Sequence, residues 1–331
     1  MATHTRLFMS TDPGAPVFTA TVGSLCDLLK TCLVGSGGVA YGSGGAAKAA
    51  AGWTVEFEDA VAHKLVLRNS PALGSGYYLR ILDDGTGTSA TAANAHVQGY
   101  SSMSDIDTGT DATPAAVAGW PGGRIEKAGS AGSTPIPWAV VADEKTAIVG
   151  LNIAATNGRA VVYYLGDYLS YIPGFGYPWM AAAGGASNAL DDRVSYLSRT
   201  SGQASTGAGG ACIMRSHTGM LGAAKTTFVT PNGAAGSVPG SGSLPNIPPS
   251  GYLGNNIVSH PVMLASAIGP IGELRGVRYP SQDIRSIAGG TVLAGTLPGS
   301  MQVVLHNADS YGSFFDLFSG GLLIETVLPW Q

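Results

Sequence analysis

The densest pattern of apolar positions in the chain lies between Pro137 and Gly174, PWAVVADEKTAIVGLNIAATNGRAVVYYLGDYLSYIPG. Apolar segments at 139–142, 147–153 and 160–165 are rich in Val, Ile and Tyr, and polar clusters part them at hairpin spacing, which predicts three antiparallel strands. The first connection is the charged turn Asp143-Glu144-Lys145-Thr146. The second centres on Asn157-Gly158, a type I′ turn signal, because both central residues need positive φ and Asn and Gly tolerate it best. Gly166-Asp167-Tyr168 ends the third strand. One long buried helix is the alternative for so apolar a run, but Gly150, Gly158 and Gly166 break it at short intervals.

Upstream, residues 5–8 and 17–18 flank the turn Asp12-Pro13-Gly14 and read as an opening arm or edge strand. One amphipathic helix follows, LCDLLKTCLV, with Ser24 as its expected N-cap, Asp27 at the third helical position and Gly35 as its stop. Leu25, Leu28, Leu29 and Cys32 form its apolar stripe. The Gly/Ser loop at 35–45 invites comparison with a phosphate cradle, but no Gly-Lys-Ser/Thr closes it and Lys48 stands between alanines. Short strands are expected at 52–57, 64–68 and 77–82, before the turn Asp83-Asp84-Gly85.

Residues 176–250 are a separate zone of Gly, Ala, Ser, Thr and Pro. Strands are conceivable at 192–199 and 212–217, whereas 231–249 is too broken by Pro and Gly to be regular. A stretch of this kind reads as an irregular excursion or an arm lying on a neighbour. Strands at 258–271, 290–297, 301–305 and 321–328 complete the chain, with Pro329 ending the last and Trp330 anchoring the terminus through its ring. The expected organisation is a helix-plus-sheet module at 1–175, the excursion at 176–250, and a β segment at 251–331. The fold class is mainly β, with sandwich-like antiparallel sheets, one N-terminal amphipathic helix and the long irregular excursion.

Composition changes this picture in one respect. Charged residues make up 11% of the 331-residue chain, where about 25% is typical. The 49 glycines are roughly double the usual share. So little charge to cover a surface points to burial of that surface by further copies of the chain, a homo-oligomer; a monomer solvated by Ser, Thr, Asn and Gly is the alternative. A net charge of −4 without a basic run argues against a nucleic-acid partner. Cys26, Cys32 and Cys212 form neither a disulfide framework nor a zinc pattern and read as small buried hydrophobes in a reducing compartment. With no apolar run of about 18 residues and no signal-peptide pattern at the N-terminus, the expectation is a soluble protein made in a cytoplasm, without membrane insertion.

A resemblance adds to this reading. The leucine-rich helix ending CLVG, the Gly-rich loop, AAGWT, YYLRILDDG and VQGYSSMSDIDTGT together resemble a family of tailed-bacteriophage virion proteins encoded among tail, collar or fibre genes. It is dense over residues 5–174 and thins afterwards to GELRGVRYP at 272–280 and the closing Leu328-Pro329-Trp330. The resemblance implies a structural part of the particle, with no catalytic residues to carry over.

Catalytic and metal-binding motifs are few and incomplete. Asp107-Thr108-Gly109-Thr110 matches an aspartic-protease loop, but a second such motif is lacking and Asp105 and Asp111 make the surroundings those of an acidic turn. His4, His63, His96, His217, His260 and His306 are dispersed; Asp59/His63 and His306/Asp309 would each supply only two ligands. Asp83/Asp84 and Asp105/Asp107 lack EF-hand spacing for calcium, and Glu56/Glu58 and Asp191/Asp192 have the spacing of an ordinary solvated strand or turn as much as of a glycan hydrolase. Neither catalytic nor metal residues, nor any cofactor, are expected. The candidate binding residues are the aromatics Tyr168, Tyr171, Phe175, Tyr177 and Trp179, a set suited to stacking on sugars if exposed. The expectation is a non-enzymatic, homo-oligomeric component of a phage virion, partnered by other tail, collar or baseplate proteins. A receptor- or glycan-binding tip, a capsid decoration protein and a glycan-cleaving tailspike are the alternatives. Heptads are absent, so a coiled-coil shaft is not expected.

Overall fold

The strands at Trp138–Ala142, Thr146–Leu151 and Val161–Asp167 pair antiparallel in the order expected from their turns, with Val140 opposite Val149 and Val149 opposite Tyr163. Their side chains are buried on both faces, which is why the sequence here is continuously apolar instead of alternating. Val140, Ala147, Val149, Tyr163 and Leu165 point into one core, and Val141, Ile148, Val162 and Tyr164 into another. These strands are the middle layer of the molecule.

The computed structural model describes residues 4–85, 92–113, 122–128, 130–151, 161–183, 210–215, 225–230, 233–234, 259–266, 269–280, 287–295, 297–305 and 322–330. Among the described residues the fold is mainly β, with antiparallel pairing throughout. The largest sheet has 14 strands. It begins at Arg6–Met9, passes through the three middle strands, and continues through Trp179–Ala183, Gly210–Ile213, Lys225–Thr230, Ser259–Ser266, Gly269–Pro280, Leu322–Glu325 and Met301–Leu305 to its far edge at Val292–Ala294. A 5-stranded sheet runs Gly123–Glu126, Asn94–Tyr100, Tyr78–Leu82, Lys64–Arg68, Thr54–Asp59.

The large sheet folds back on itself, so that Val262, Leu264, Ile271, Val277, Val303 and Ile324 of its second half pack on the middle layer. On the opposite side the middle layer meets the 5-stranded sheet through Leu65, Leu67, Leu79, Ile81 and Val97, and the helix Ser24–Leu33 through Leu25, Leu28, Leu29 and Cys32. The whole predicted stripe of the helix is buried, at roughly 2 kcal/mol for each fully buried leucine.

Two expectations need correction. Ser24 does not cap the helix: the N-cap is Gly23, and the Ser24 hydroxyl donates instead to the Thr19 and Thr21 carbonyls at 2.6 and 2.9 Å. Asp83 takes over the capping, its Oδ2 accepting from the Leu25 N–H at 2.8 Å. The single strand expected at 258–271 is two, Ser259–Ser266 and Gly269–Pro280, reversing between Ser266 and Gly269 with no polar cluster to mark the turn. The Gly/Ser-rich zone contributes Trp179–Ala183, Gly210–Ile213 and Lys225–Thr230 to the large sheet. The Asn157-Gly158 turn and the strand expected at 192–199 lie outside the described residues.

Candidate functional site

The turn that joins the first two middle strands carries the most elaborate polar arrangement among the described residues. The Asp143 carboxylate folds back to accept from the Lys145 and Thr146 N–H groups, both at 2.9 Å. In the same place the Arg275 guanidinium clamps it: Nη1 donates to Oδ1 at 3.1 Å and Nη2 to Oδ2 at 2.6 Å. Nη1 also donates to Thr146 Oγ1 at 2.8 Å and Nη2 to the Trp330 carbonyl at 3.1 Å. The Trp53 indole N–H donates to the Asp143 carbonyl at 2.8 Å from the side of the 5-stranded sheet. Arg275 and Asp143 are almost wholly withdrawn from solvent, so the pair is favourable only because its geometry is bidentate and the neighbouring donors and acceptors are matched.

The knot extends to Asp167 at the end of the third middle strand. Thr146 Oγ1 and the Tyr164 hydroxyl both donate to the Asp167 carbonyl, at 2.7 and 2.5 Å. The Asp167 carboxylate accepts from Asn69 Nδ2 at 3.0 Å and from Ser75 Oγ and N at 2.6 and 2.8 Å. Burial pushes this carboxyl up to about 6, against the pull of the Ser75 bonds. Trp330 closes the knot from above: its ring is buried, its N–H donates to the Glu325 carbonyl at 2.9 Å, and Gly276 lies beneath it where a Cβ would meet the indole at 2.2 Å. Trp53, the segment at 272–280 and the terminal Pro-Trp, three separate pieces of the resemblance, therefore meet at one place. Sequence reasoning placed Asp143 and Asp167 in turns and missed their joint role. The available signal was an acid abutting an unbroken apolar run, Asp143 after 139–142 and Asp167 after 160–165 and Gly166, in a chain with few charges.

A second buried pair sits at the helix N-terminus. Lys127 Nζ bonds to Asp83 Oδ1, donates to the Thr21 carbonyl at 2.6 Å, and has no exposed side-chain surface, nor does Asp83. Burial raises the Asp83 carboxyl to about 6 and depresses Lys127, while the cation and the Leu25 N–H pull the carboxyl back down. The helix dipole favours the anion at this end. Both Asp83 oxygens are engaged, Oδ1 with Lys127 and Oδ2 with the Leu25 N–H.

The other candidate acids among the described residues are engaged at or just below the surface, and Asp191, Asp192 and Asp309 lie outside the described residues. Asp107 lies in the turn between the short strands Ser102–Asp105 and Thr108–Thr110, ion-paired with Lys64 at 2.6 Å and with Arg80, and these cations hold its carboxyl below the usual range. Asp111 accepts from Arg215 Nη2 through both oxygens at 3.0 Å. Glu58 pairs with Lys30 at 2.6 Å, and Glu56 accepts from the Thr54 hydroxyl at 2.9 Å. Among the described residues no group of three or more His, Cys, Asp and Glu is placed to hold a metal. Cys26 and Cys32 are buried free thiols whose burial raises them far from reactivity.

The five candidate aromatics separate into two sets. Tyr168 and Trp179 are buried, at 2% and 0% exposure, and are corrected here: Trp179 is a sheet residue whose ring lies on Gly99, and Tyr168 packs in the second core beside Gly272. Gly flanks and Tyr/Trp composition look alike whether a loop is exposed or folded under a sheet. Tyr171, Phe175 and Tyr177 do reach the surface. Tyr171 is 45% exposed and donates to Glu273 Oε2 at 2.9 Å. Phe175 and Tyr177 are half-buried and meet edge to face at 6.2 Å, Tyr77 lies 6.1 Å from Tyr177, and the Arg215 guanidinium stacks on Tyr177 at 4.1 Å.

A cleft of about 430 Å³ opens where the folded sheet brings its two ends together, between Met9, Trp138 and Leu151 on one side and Gly290, Val304 and Leu305 on the other. Among the described residues no ionisable side chain lines it, so these residues can take up an apolar group and offer hydroxyls as their polar side chains. Among the described residues no helix is long and apolar enough to cross a membrane. Compared with known protein families and with curated proteins, the chain finds no match in either.

Proposed function

We propose that the protein is a non-enzymatic structural component of a tailed-phage virion, assembled as a homo-oligomer on the tail, collar or baseplate. The observation that carries this reading is how the scarce charge is used. Asp143, Arg275, Asp83 and Lys127 lie in buried pairs that tie the layers together, and among the described residues the carboxylates considered for catalysis, Asp107, Glu56 and Glu58, are engaged in ion pairs or hydrogen bonds. That leaves a surface still poorer in charge than the composition suggests, suited to being covered by neighbours. Polar groups used to fix layers fit a part that holds a shape. Immunogold labelling of the encoding phage, with mass spectrometry of purified particles, tests it: label on the tail, collar or baseplate is expected, and particles lacking the protein would overturn the reading.

A second reading rests on Tyr171, Phe175 and Tyr177, whose exposed or half-buried rings next to Arg215 are of a kind that binds glycans at a fibre tip. Specific binding of the purified protein to host cells, lost in Tyr171→Ala with Tyr177→Ala, would favour it. Capsid decoration predicts binding to purified capsids instead, and a tailspike predicts glycan cleavage.

A further inference from the structure

The large sheet has two ends, and they are treated differently. At Arg6–Met9 three of the four outward backbone groups are taken: Lys48 Nζ donates to the Leu7 carbonyl at 3.2 Å, the Met9 N–H donates to Asp12 Oδ2 and to the Tyr41 hydroxyl at 2.8 and 3.2 Å, and the Met9 carbonyl accepts from the Asp12 N–H at 3.0 Å. At the other end, the Val292–Ala294 strand pairs on one side with Met301–Leu305. Val304 N donates to the Thr291 carbonyl and Gly295 N to the Ser300 carbonyl, at 2.9 and 2.8 Å. The alternation of an antiparallel ladder then turns the N–H and C=O groups of Val292 and Ala294 away from the sheet. None of these four groups has a partner among the described residues.

Shortness is this edge's one guard: the strand is three residues long and carries no Lys, Pro or charge, and no charged side chain covers it among the described residues. Exposed edges are commonly blocked by Lys, Pro or inward-pointing charge. The 5-stranded sheet follows that rule at Thr54–Asp59, where Glu56, Glu58 and Asp59 would repel a second copy of the same strand. Around Val292–Ala294, by contrast, the 20 residues from 286 to 305 contain no Asp, Glu, Lys, Arg or His. The strand is bordered by exposed apolar side chains: Val292 and Met301 at 36%, Leu297 at 49% and Val327 at 57%. Val327 is brought there by the Thr326 N–H bond to the Met301 carbonyl at 2.8 Å.

We infer that this edge is a self-association surface, on which the Val292–Ala294 strand of a second copy pairs antiparallel across a two-fold axis at Leu293. The inference rests on the homo-oligomeric reading above and names its contact. A two-fold contact sets each residue near its own counterpart, so any charge there meets its own sign; only an uncharged edge is compatible with itself. In this register Val292 faces Ala294 of the second copy and Ala294 faces its Val292, so the four outward groups of each strand find partners. Leu293 meets its counterpart at a non-hydrogen-bonded position, where Cα atoms are about 4.5 Å apart.

Two variants of the full chain test this. Val292→Lys places a charge on an exposed position of the edge, and light scattering is expected to show its mass falling at least twofold against wild type, with the far-ultraviolet dichroism retained; Glu56→Lys, on the guarded edge, leaves the mass unchanged. Leu293→Cys is expected to form an interchain disulfide under mild oxidation, since the paired Cα distance suits one. A wild-type oligomer whose mass survives Val292→Lys and whose Leu293→Cys form does not cross-link overturns this contact while leaving the oligomer standing. A wild type that is monomeric at every concentration overturns both.

Discussion

The guanidinium of Arg275 and the carboxylate of Asp143 meet through two parallel hydrogen bonds across 132 residues of chain, inside the protein. The pair joins the turn of the middle layer to the second half of the folded sheet, and through the Trp330 carbonyl to the C-terminal segment. Removing Asp143 alone as Asp143→Ala leaves a buried cation without its counterion, and is expected to destabilise by about 3–5 kcal/mol. Adding Arg275→Met should return much of that loss, because the cation that made the first change severe is gone. Urea unfolding of the four proteins of this cycle measures it; two losses that simply add would mean that the pair does not act as a unit.

Trp330 and Gly276 make a second test, independent of charge. Gly276 has φ of 70° and leaves no space under the indole, so Gly276→Ala is expected to cost more than about 2 kcal/mol through strain and clash together. In a Trp330→Ala background the clash disappears and only the backbone strain of about 1 kcal/mol remains. Equal losses in both backgrounds would show that the ring does not set the requirement for glycine.

Two buried carboxyls dictate an unusual acid limb. Asp83 and Asp167 are each raised from 3.8 to about 6, chiefly by burial. The folded chain therefore keeps protons that the unfolded chain releases between about pH 4 and 6. Their contribution to stability is full below pH 4 and declines as the pH rises to 6, by roughly 1.4 kcal/mol per pH unit for each carboxyl at most. The depressed carboxyl of Asp107 acts oppositely, at lower pH. Denaturant midpoints at pH 4, 5 and 6 should fall in that order, and Asp167→Asn should flatten the slope. A slope unaltered in that variant would mean that Asp167 ionises in the fold as it does in the unfolded chain.

What could be read from sequence follows from how local each cause is. The three middle strands were legible because turn chemistry and β-branched runs are written within a few residues, as were the apolar stripe of the helix and the anchoring of Trp330. The helix cap was not: Ser24 has the right chemistry, but Asp83, 58 residues from Leu25, reaches the free N–H first. The difference between Tyr171 and Tyr168 was invisible for a similar reason, since only the packing of Gly272 beside Tyr168 decides which ring is covered. The knot was legible only in fragments, because its members come from turns and strands that the fold alone brings together.

Asp107 should prove dispensable for chemistry. Its ion pairs with Lys64 and Arg80 are partly exposed, so Asp107→Asn is expected to cost no more than about 1 kcal/mol and, if the protein is the virion part proposed above, to leave infectivity and the processing of virion proteins unchanged. A variant that assembles normally but has lost a cleavage activity present in the wild type would overturn the non-enzymatic reading.

Tyr164 and Tyr168 offer the sharpest contrast in the molecule, two tyrosines of the second core with opposite hydroxyl environments. The Tyr164 hydroxyl accepts from the Arg275 N–H at 3.2 Å and donates to the Asp167 carbonyl at 2.5 Å, so it is matched on both sides. Tyr164→Phe orphans a buried N–H and weakens the link to the knot, and is expected to destabilise by about 1–3 kcal/mol. The Tyr168 hydroxyl is buried and has no hydrogen-bond partner among the described residues. Its desolvation is uncompensated, and removing the oxygen removes that penalty while keeping the ring packed beside Gly272. Tyr168→Phe is therefore expected to be neutral or to stabilise by up to about 2 kcal/mol. Thermal unfolding of the two phenylalanine variants side by side reads the difference: Tm lower than wild type for the first and equal or higher for the second. Equal losses in both would show that Tyr168 has a bonding partner in solution, and that its ring is not merely filling space between the layers.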